Sequence, residues 1–204
     1  MKLFLFDFDG VLADSLEVYE KTVTDCLKDI KQPLIESREE FLELFEDNFY
    51  ASLKNKGIDL DEFMKAAESI LAKVKIKDMK PFPDVAPVIQ ELHKKHCLIV
   101  VSSNDYASIK EALDLFNYDD YFRDIFGSDF MFSKKEKILY AAGKYNVELE
   151  DIYYIGDTTG DIKEGKQAGI KTVGVTWGWH SKEKMAAAKP DYLFDHPGEL
   201  LQLN

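Results

Sequence analysis

Basic residues are scarce: 26 lysines and arginines face 38 aspartates and glutamates, a formal charge of −12, and only Arg38 and Arg123 are arginines. No basic run reverses that field locally, which sets aside long-range attraction to nucleic acid or to an anionic membrane. Cysteine is equally sparse. Cys26 and Cys97 allow at most one bridge and sit in patterns that read as a core helix and a core strand, which fits a reducing compartment. No apolar stretch approaches the roughly 20 residues that span a bilayer. The N-terminus opens on a short strand-like run, without the basic region and cleavage site of a secretory signal. The expectation is a soluble cytoplasmic protein with no nucleic-acid or membrane partner. Only six prolines interrupt 204 residues that are 46% hydrophobic, so a disordered or fibrous chain is excluded.

The apolar residues are patterned. Residues 2–8 form a compact run with Phe4, Phe6 and Phe8, strand-like and buried on both faces, which breaks at Asp9-Gly10. The period then changes. Leu16, Tyr19, Val23, Leu27 and Ile30 fall three or four apart, the stripe of a helix that Pro33 helps to end. A second helix is predicted to carry Phe41, Leu44 or Phe45, Phe49 and Leu53. A third would carry Phe63, Ala67, Ile70, Leu71 and Val74, so residues 14–80 read as all-helical.

Pro81 and Pro83 mark a hinge, because each fixes its own φ and keeps the preceding residue out of the helical region. Beyond them the pattern alternates. Strands are predicted at 97–101, 124–127, 152–155, 171–175 and 192–194, with helices carrying Val85 to Leu92, Ile109 to Phe116 and Ile138 to Ala142, the last capped by Ser133. Such alternation predicts an α/β fold, a mainly parallel sheet with helices on both faces, interrupted by a helical insertion. The predicted division is a core of residues 1–13 and 81–204 and a helical cap of residues 14–80.

Ligands of such sheets bind beyond the carboxyl ends of the strands. Four polar groups meet that test: Asp7-Phe8-Asp9-Gly10, Ser102-Ser103-Asn104, Ser133-Lys134-Lys135, and Gly156-Asp157-Thr158-Thr159-Gly160-Asp161. Asp7 ends an apolar run, where an unpaired carboxylate carries a severe desolvation cost that a cation would remove. Asp157 follows another strand, so the two carboxylates suit Mg²⁺, a hard ion that prefers oxygen ligands. The four histidines show no zinc-site spacing with cysteine. Gly156 and Gly160 favour tight backbone paths near an anion. Alone, Asp-x-Asp reads more simply as a turn or cap, and Asp161 as the N-cap of a helix beginning near Ile162.

Together these motifs resemble the haloacid dehalogenase (HAD) superfamily. Motif one matches DFDGVLADS at residues 7–15, motif two the serine of VVSSN at Ser102, and motif four GDTTGD at residues 156–161. The helical insertion sits where that family carries its small cap. The segments PFPDV, GVTWGWH and PDYLF make the chain most similar to the phosphoglycolate-phosphatase-like branch.

The resemblance implies a HAD-like Rossmannoid core and a magnesium-dependent phosphatase acting on a small phosphorylated metabolite. Asp7 would attack phosphorus, and Asp9 would protonate the leaving oxygen and then activate water. Mg²⁺ would be held by the side chains of Asp7 and Asp157 and the backbone carbonyl of Asp9, with Asp161 orienting a metal-bound water or the motif-three lysine. Ser102, with Ser103 beside it, would bind phosphate. The lysine is Lys134 or its competitor Lys135, in a stretch where SKKEKI replaces the family's lysine followed by prolines.

Two other readings stand beside this one. A sugar-phosphate mutase of the β-phosphoglucomutase type shares the aspartate pair and the cap. A noncatalytic phosphate-ligand binding protein would be expected to lose Asp7 or Asp9. Arg38, among Glu36, Glu39 and Glu40, reads as a member of helical surface ion pairs. Trp177 and Trp179 are expected to pack beneath a loop, and His180 to cap local structure. The scattered helical faces single out no oligomer contact.

Overall fold

The computed structural model describes residues 1–71 and 76–204. In chain order it contains β1 (Leu3–Phe6), β2 (Ala13–Asp14), α1 (Leu16–Asp29), α2 (Arg38–Glu43), α3 (Phe49–Asn55), α4 (Leu60–Leu71) and β3 (Lys80–Pro81). There follow α5 (Val85–His93), β4 (Cys97–Val101), α6 (Tyr106–Phe116), β5 (Asp124–Phe126) and α7 (Lys134–Tyr145). The chain closes with β6 (Ile152–Gly156), α8 (Thr159–Ala168), β7 (Lys171–Val175), α9 (Lys182–Ala187) and β8 (Tyr192–Phe194).

Six strands form one sheet in the order β5-β4-β1-β6-β7-β8, and every pairing in it is parallel. Side chains of a strand alternate between faces, and this sheet uses both. Phe4 and Phe6 join Val100 and Ile155 in a core closed by α5 and α6 through Val88, Ile89 and Ile109. Leu3 and Leu5 join Ile99 and Tyr154 in a second core, closed by Ile138 and Ala141 of α7 and Ala168 of α8. The uninterrupted apolar runs thus serve two faces at once. Their polar successors are all delivered to the carboxyl edge.

A third cluster gathers Val23, Leu27, Phe41, Leu44, Phe49, Leu53 and Phe63 from α1–α4, and Trp179 enters it from the loop after β7. Trp179 lies 4.9 Å from Phe45 and 5.7 Å from Phe41, ring centre to ring centre. This is packing, as the sequence suggested for that tryptophan. Among the described residues no helix is long and apolar enough to cross a membrane.

Three expectations are corrected. The helix drawn through Phe41 and Leu53 is two helices, because Asn48 ends the run by accepting the Ala51 N–H with its side chain and capping α3. The break frees the Phe45 carbonyl, which accepts the Gly160 N–H at 3.0 Å; a β-carbon on Gly160 would lie 2.5 Å from the Asp47 carbonyl oxygen. Gly160 therefore serves a close backbone approach by the helical segment. Second, residues 14–80 are not helical throughout, since β2 and β3 pair antiparallel where the chain leaves and rejoins the sheet. Third, Thr158 and not Asp161 caps α8, with Asp161 as the reciprocal partner of a capping box. Val74, assigned to the third helix, lies outside the described residues.

Phe41 is fully buried at the centre of the aromatic cluster. Phe41→Ala is expected to lower stability by about 3–5 kcal/mol in urea unfolding; a loss below about 1 kcal/mol would contradict a packed cluster.

Candidate active site

The order of the strands explains the site. Central β1 is flanked by β4 and β6, so Asp7 after β1, Ser102 after β4 and Asp157 after β6 emerge side by side. Asp7, Asp9, Ser102, Ser103, Lys134 and Asp157 line one small cavity of about 10 Å³, room for about one water. Tyr19 and Phe45 from the helical side and Trp179 from the loop after β7 complete its wall.

Lys134 opens α7, whose N-cap Ser133 accepts the Glu136 N–H. Its ammonium bonds Asp7 Oδ2 and Asp161 Oδ1, both at 2.6 Å. Lys135 is carried away from the cavity, and its backbone N–H donates to Glu164. Of the two lysines, Lys134 is the one that lines the cavity.

Three carboxylates, Asp7, Asp157 and Asp161, bring oxygen atoms within 4.8 Å of one another, all buried. Asp161 is spent on protein partners. Its Oδ1 accepts from Lys134 and from the Tyr154 hydroxyl at 2.9 Å; its Oδ2 accepts from the Thr158 N–H and hydroxyl. Asp157 is different. Its Oδ2 accepts the Trp179 N–H at 2.7 Å, while Oδ1 is buried with no hydrogen-bond partner among the described residues. Asp9 has the same asymmetry, with Oδ2 held by the Asn104 amide at 3.3 Å and Oδ1 unpartnered. Gly10, at φ +77°, makes room for Asp157, since a β-carbon there would sit 1.9 Å from its Oδ2.

Burial pushes Asp7 up to about 7 against the pull of Lys134, and pushes Asp9 up to about 6. Burial, then repulsion by Asp161 and Asp7, drives Asp157 well above the usual carboxylate range. Burial also works on Asp161, but the Lys134 charge and the hydrogen bonds from Lys134, Thr158 and Tyr154 outweigh it, leaving that carboxyl low. Lys134 is held well above its ordinary value, because Asp161 and Asp7 more than offset its burial. One lysine does not neutralise three crowded carboxylates. An orphaned Asp157 oxygen facing hard oxygen donors suits a divalent cation such as Mg²⁺.

Ser102 lies at the end of β4, and its Oγ accepts the Asn104 N–H at 3.1 Å. The Ser103 carbonyl accepts the Tyr50 hydroxyl at 2.7 Å, a tie from α3. His180 caps α8 through Nδ1, which accepts the Thr159 N–H at 3.1 Å, and also meets the Leu42 carbonyl, at 3.0 Å. Arg38 pairs with Glu20 on α1 at 2.8 Å and not with its helical neighbours. The sequence reading included Asn104 only as a member of the Ser102-Ser103-Asn104 group, and it missed Tyr50 and the buried Lys137. Asn104 carried a signal, as a polar residue at a strand end; Tyr50 and Lys137 look like ordinary members of helices.

Beside this cavity, and sharing Tyr19 and Ser103 with it, lies a larger one of about 770 Å³. Val23, Phe49 and Phe63 supply apolar wall, and Lys65 is the one cation among its described lining residues, against Glu68, Asp105, Glu111 and Asp129.

A family model described as haloacid dehalogenase-like hydrolase matches residues 4–175. Curated relatives include a phosphoglycolate phosphatase of Aquifex aeolicus, 28% identical over all of this chain and 96% of its own, and one of Synechococcus elongatus, 25% identical over 99% and 96%. A pyrophosphatase of Listeria monocytogenes is 26% identical over 98% of this chain and 94% of its own. Among solved structures, a predicted phosphatase from Clostridium acetobutylicum superposes with a TM-score of 0.85 at 22% identity, covering 98% and 96% of the two chains. That likeness concerns the fold alone.

A buried carboxyl raised from 3.8 to about 7 binds more protons folded than unfolded, so its stabilising contribution is complete below about 4 and lost as pH rises through 7. Urea unfolding of metal-free protein is expected to show wild type losing stability between pH 5 and about 7.5 relative to Asp7→Asn. Parallel curves would contradict the assigned environment of Asp7.

Proposed function

Because the chain belongs to the haloacid dehalogenase-like hydrolases, we propose that it is a magnesium-dependent phosphatase cleaving a small phosphate monoester through an aspartyl-phosphate on Asp7. That the chain is a phosphatase rests on the family and on relatives named for such activity. The proposal adds the metal, the residue roles and the substrate class. One observation carries it: Asp7, Asp9 and Asp157 meet in one cavity with Lys134, and two of these carboxylates keep an unpartnered oxygen.

The side chains of Asp7 and Asp157 and the backbone carbonyl of Asp9 would hold Mg²⁺, which when bound offsets repulsion between carboxylate and phosphate. Asp7 supplies the nucleophile: a carboxylate oxygen bonds to phosphorus as the bond to the ester oxygen breaks, and that oxygen takes a proton from Asp9. Burial raises the Asp9 carboxyl to about 6, so near neutral pH it keeps a larger protonated fraction than an ordinary carboxyl does. In the second half Asp9 takes a proton from water, whose oxygen displaces Asp7 from phosphorus and releases inorganic phosphate. Lys134 keeps a positive charge beside Asp7 throughout, and Ser102 donates to a phosphoryl oxygen.

Residues 14–80 act as a cap in this reading. The inner cavity of about 10 Å³ does not admit a phosphate group, so the helical segment swings away to load substrate and closes to exclude water. The larger cavity receives the leaving group. Phosphoglycolate is one candidate, supported by the names of the relatives; its carboxylate would meet Lys65 as the one cation among the described lining residues.

Phosphate release from a panel of small monoesters, with Mg²⁺ and with chelator, tests this. Wild type is expected to turn over only with the metal; Asp7→Asn is expected to lose activity at least 10³-fold and Asp9→Asn about 10²–10⁴-fold. Wild-type activity in Asp7→Asn would remove the nucleophile. Transfer from a bisphosphorylated sugar without net phosphate release would favour a mutase.

A further inference from the structure

Lys137 is fully buried, one turn along α7 from Lys134, and no step described above uses it. Among the described residues no carboxylate forms an ion pair with it; its ammonium donates to the Ser102 carbonyl alone. An ammonium has three donors, and burying one against a single neutral acceptor costs several kcal/mol in protein interiors. Methionine would fill the same space without that cost. Burial, then repulsion by Lys134, pulls its pKa down to about 7; Asp7, Glu164 and Asp129 pull the other way. A lysine so placed is a poor stabiliser of the fold.

Its acceptor is informative. The Ser102 carbonyl belongs to the residue whose Oγ accepts the Asn104 N–H at 3.1 Å, and the Asn104 amide donates to Asp9 Oδ2 at 3.3 Å. The far side of the same loop is tied by the Tyr50 hydroxyl to the Ser103 carbonyl. Lys137 thus anchors, from the sheet side, a short loop that carries the phosphate-binding serine and steadies the general acid. It also lies in the SKKEKI stretch that departs from the family's proline-containing pattern.

We propose that Lys137 is a positioning residue for phosphoryl transfer, clamping the Ser102 carbonyl so that residues 102–104 hold Ser102 toward the phosphate and Asn104 against Asp9. The proposal rests on the phosphatase reading. Because the clamp acts on groups that serve the transition state, its loss is expected in kcat more than in KM.

The test uses p-nitrophenyl phosphate and the full chain with Mg²⁺. Lys137→Met is expected to keep or raise the melting temperature, to lower kcat at least tenfold, and to leave KM within about threefold. Lys137→Ala supplies a second variant, in which n-propylamine in the buffer is expected to restore kcat at least fivefold while propionitrile, of the same length but without a donor, does not. A kcat within twofold of wild type in either folded variant overturns the proposal, as does a fall in kcat that only tracks a lower melting temperature or that propionitrile restores equally. If wild type itself releases no phosphate from any ester, the phosphatase reading fails, a result distinct from failure of the Lys137 clamp.

Discussion

Repulsion among buried carboxylates is the constraint around which this molecule is arranged. Asp7, Asp157 and Asp161 crowd oxygen atoms within 4.8 Å, and Lys134 is the cation bonded among them. Left to themselves these groups would take up protons, as the raised values of Asp7 and Asp157 express. A parallel sheet makes the crowding possible, because neighbouring strands end at one edge and present their next residues to the same point. The two apolar cores beneath stabilise that edge through residues that do no chemistry.

The four carboxyl groups are sorted by their neighbours. Asp161 is saturated with donors and paired with Lys134, which makes it an anionic anchor for the lysine. Asp157 and Asp9 each keep one oxygen unpartnered in a buried place. Asp7 shares its Oδ2 with Lys134 and receives the Phe8 N–H on Oδ1 at 2.7 Å. Identical side chains thereby acquire different proton affinities, the condition on which the proposed division into nucleophile, acid and metal ligand depends. The helical segment meets this edge through backbone and single side chains: Phe45 to Gly160, Tyr50 to Ser103, Leu42 to His180. Aromatic contacts join these polar ties, Trp179 against Phe41 and Phe45 and Phe132 against Tyr50.

Much of this was legible in the residues. The strands containing Leu5, Ile99 and Tyr154 read correctly because residues buried on both faces give unbroken apolar runs. Asp7 and Asp157 stood out for the opposite reason, as polar residues after such runs, and Lys134 through the family resemblance. The helix through Phe41 and Leu53 misled, because apolar spacing continues across Leu44 and Phe45 although the chain turns there to bring a carbonyl to Gly160. Asp161 looked like a cap because Thr158, three residues earlier, forms the other half of a reciprocal pair. Lys137 was invisible: a lysine among SKKEKI reads as solvated surface until the fold buries it.

The central claim is that Asp7 and Asp157 share one divalent cation at the sheet edge. Titration of metal-free protein with Mn²⁺, followed by its electron paramagnetic resonance signal, counts that ion directly. The account predicts one ion bound per chain in wild type and affinity weakened at least tenfold in Asp157→Asn. Equal affinity in the two proteins, or no bound ion in wild type, would contradict it.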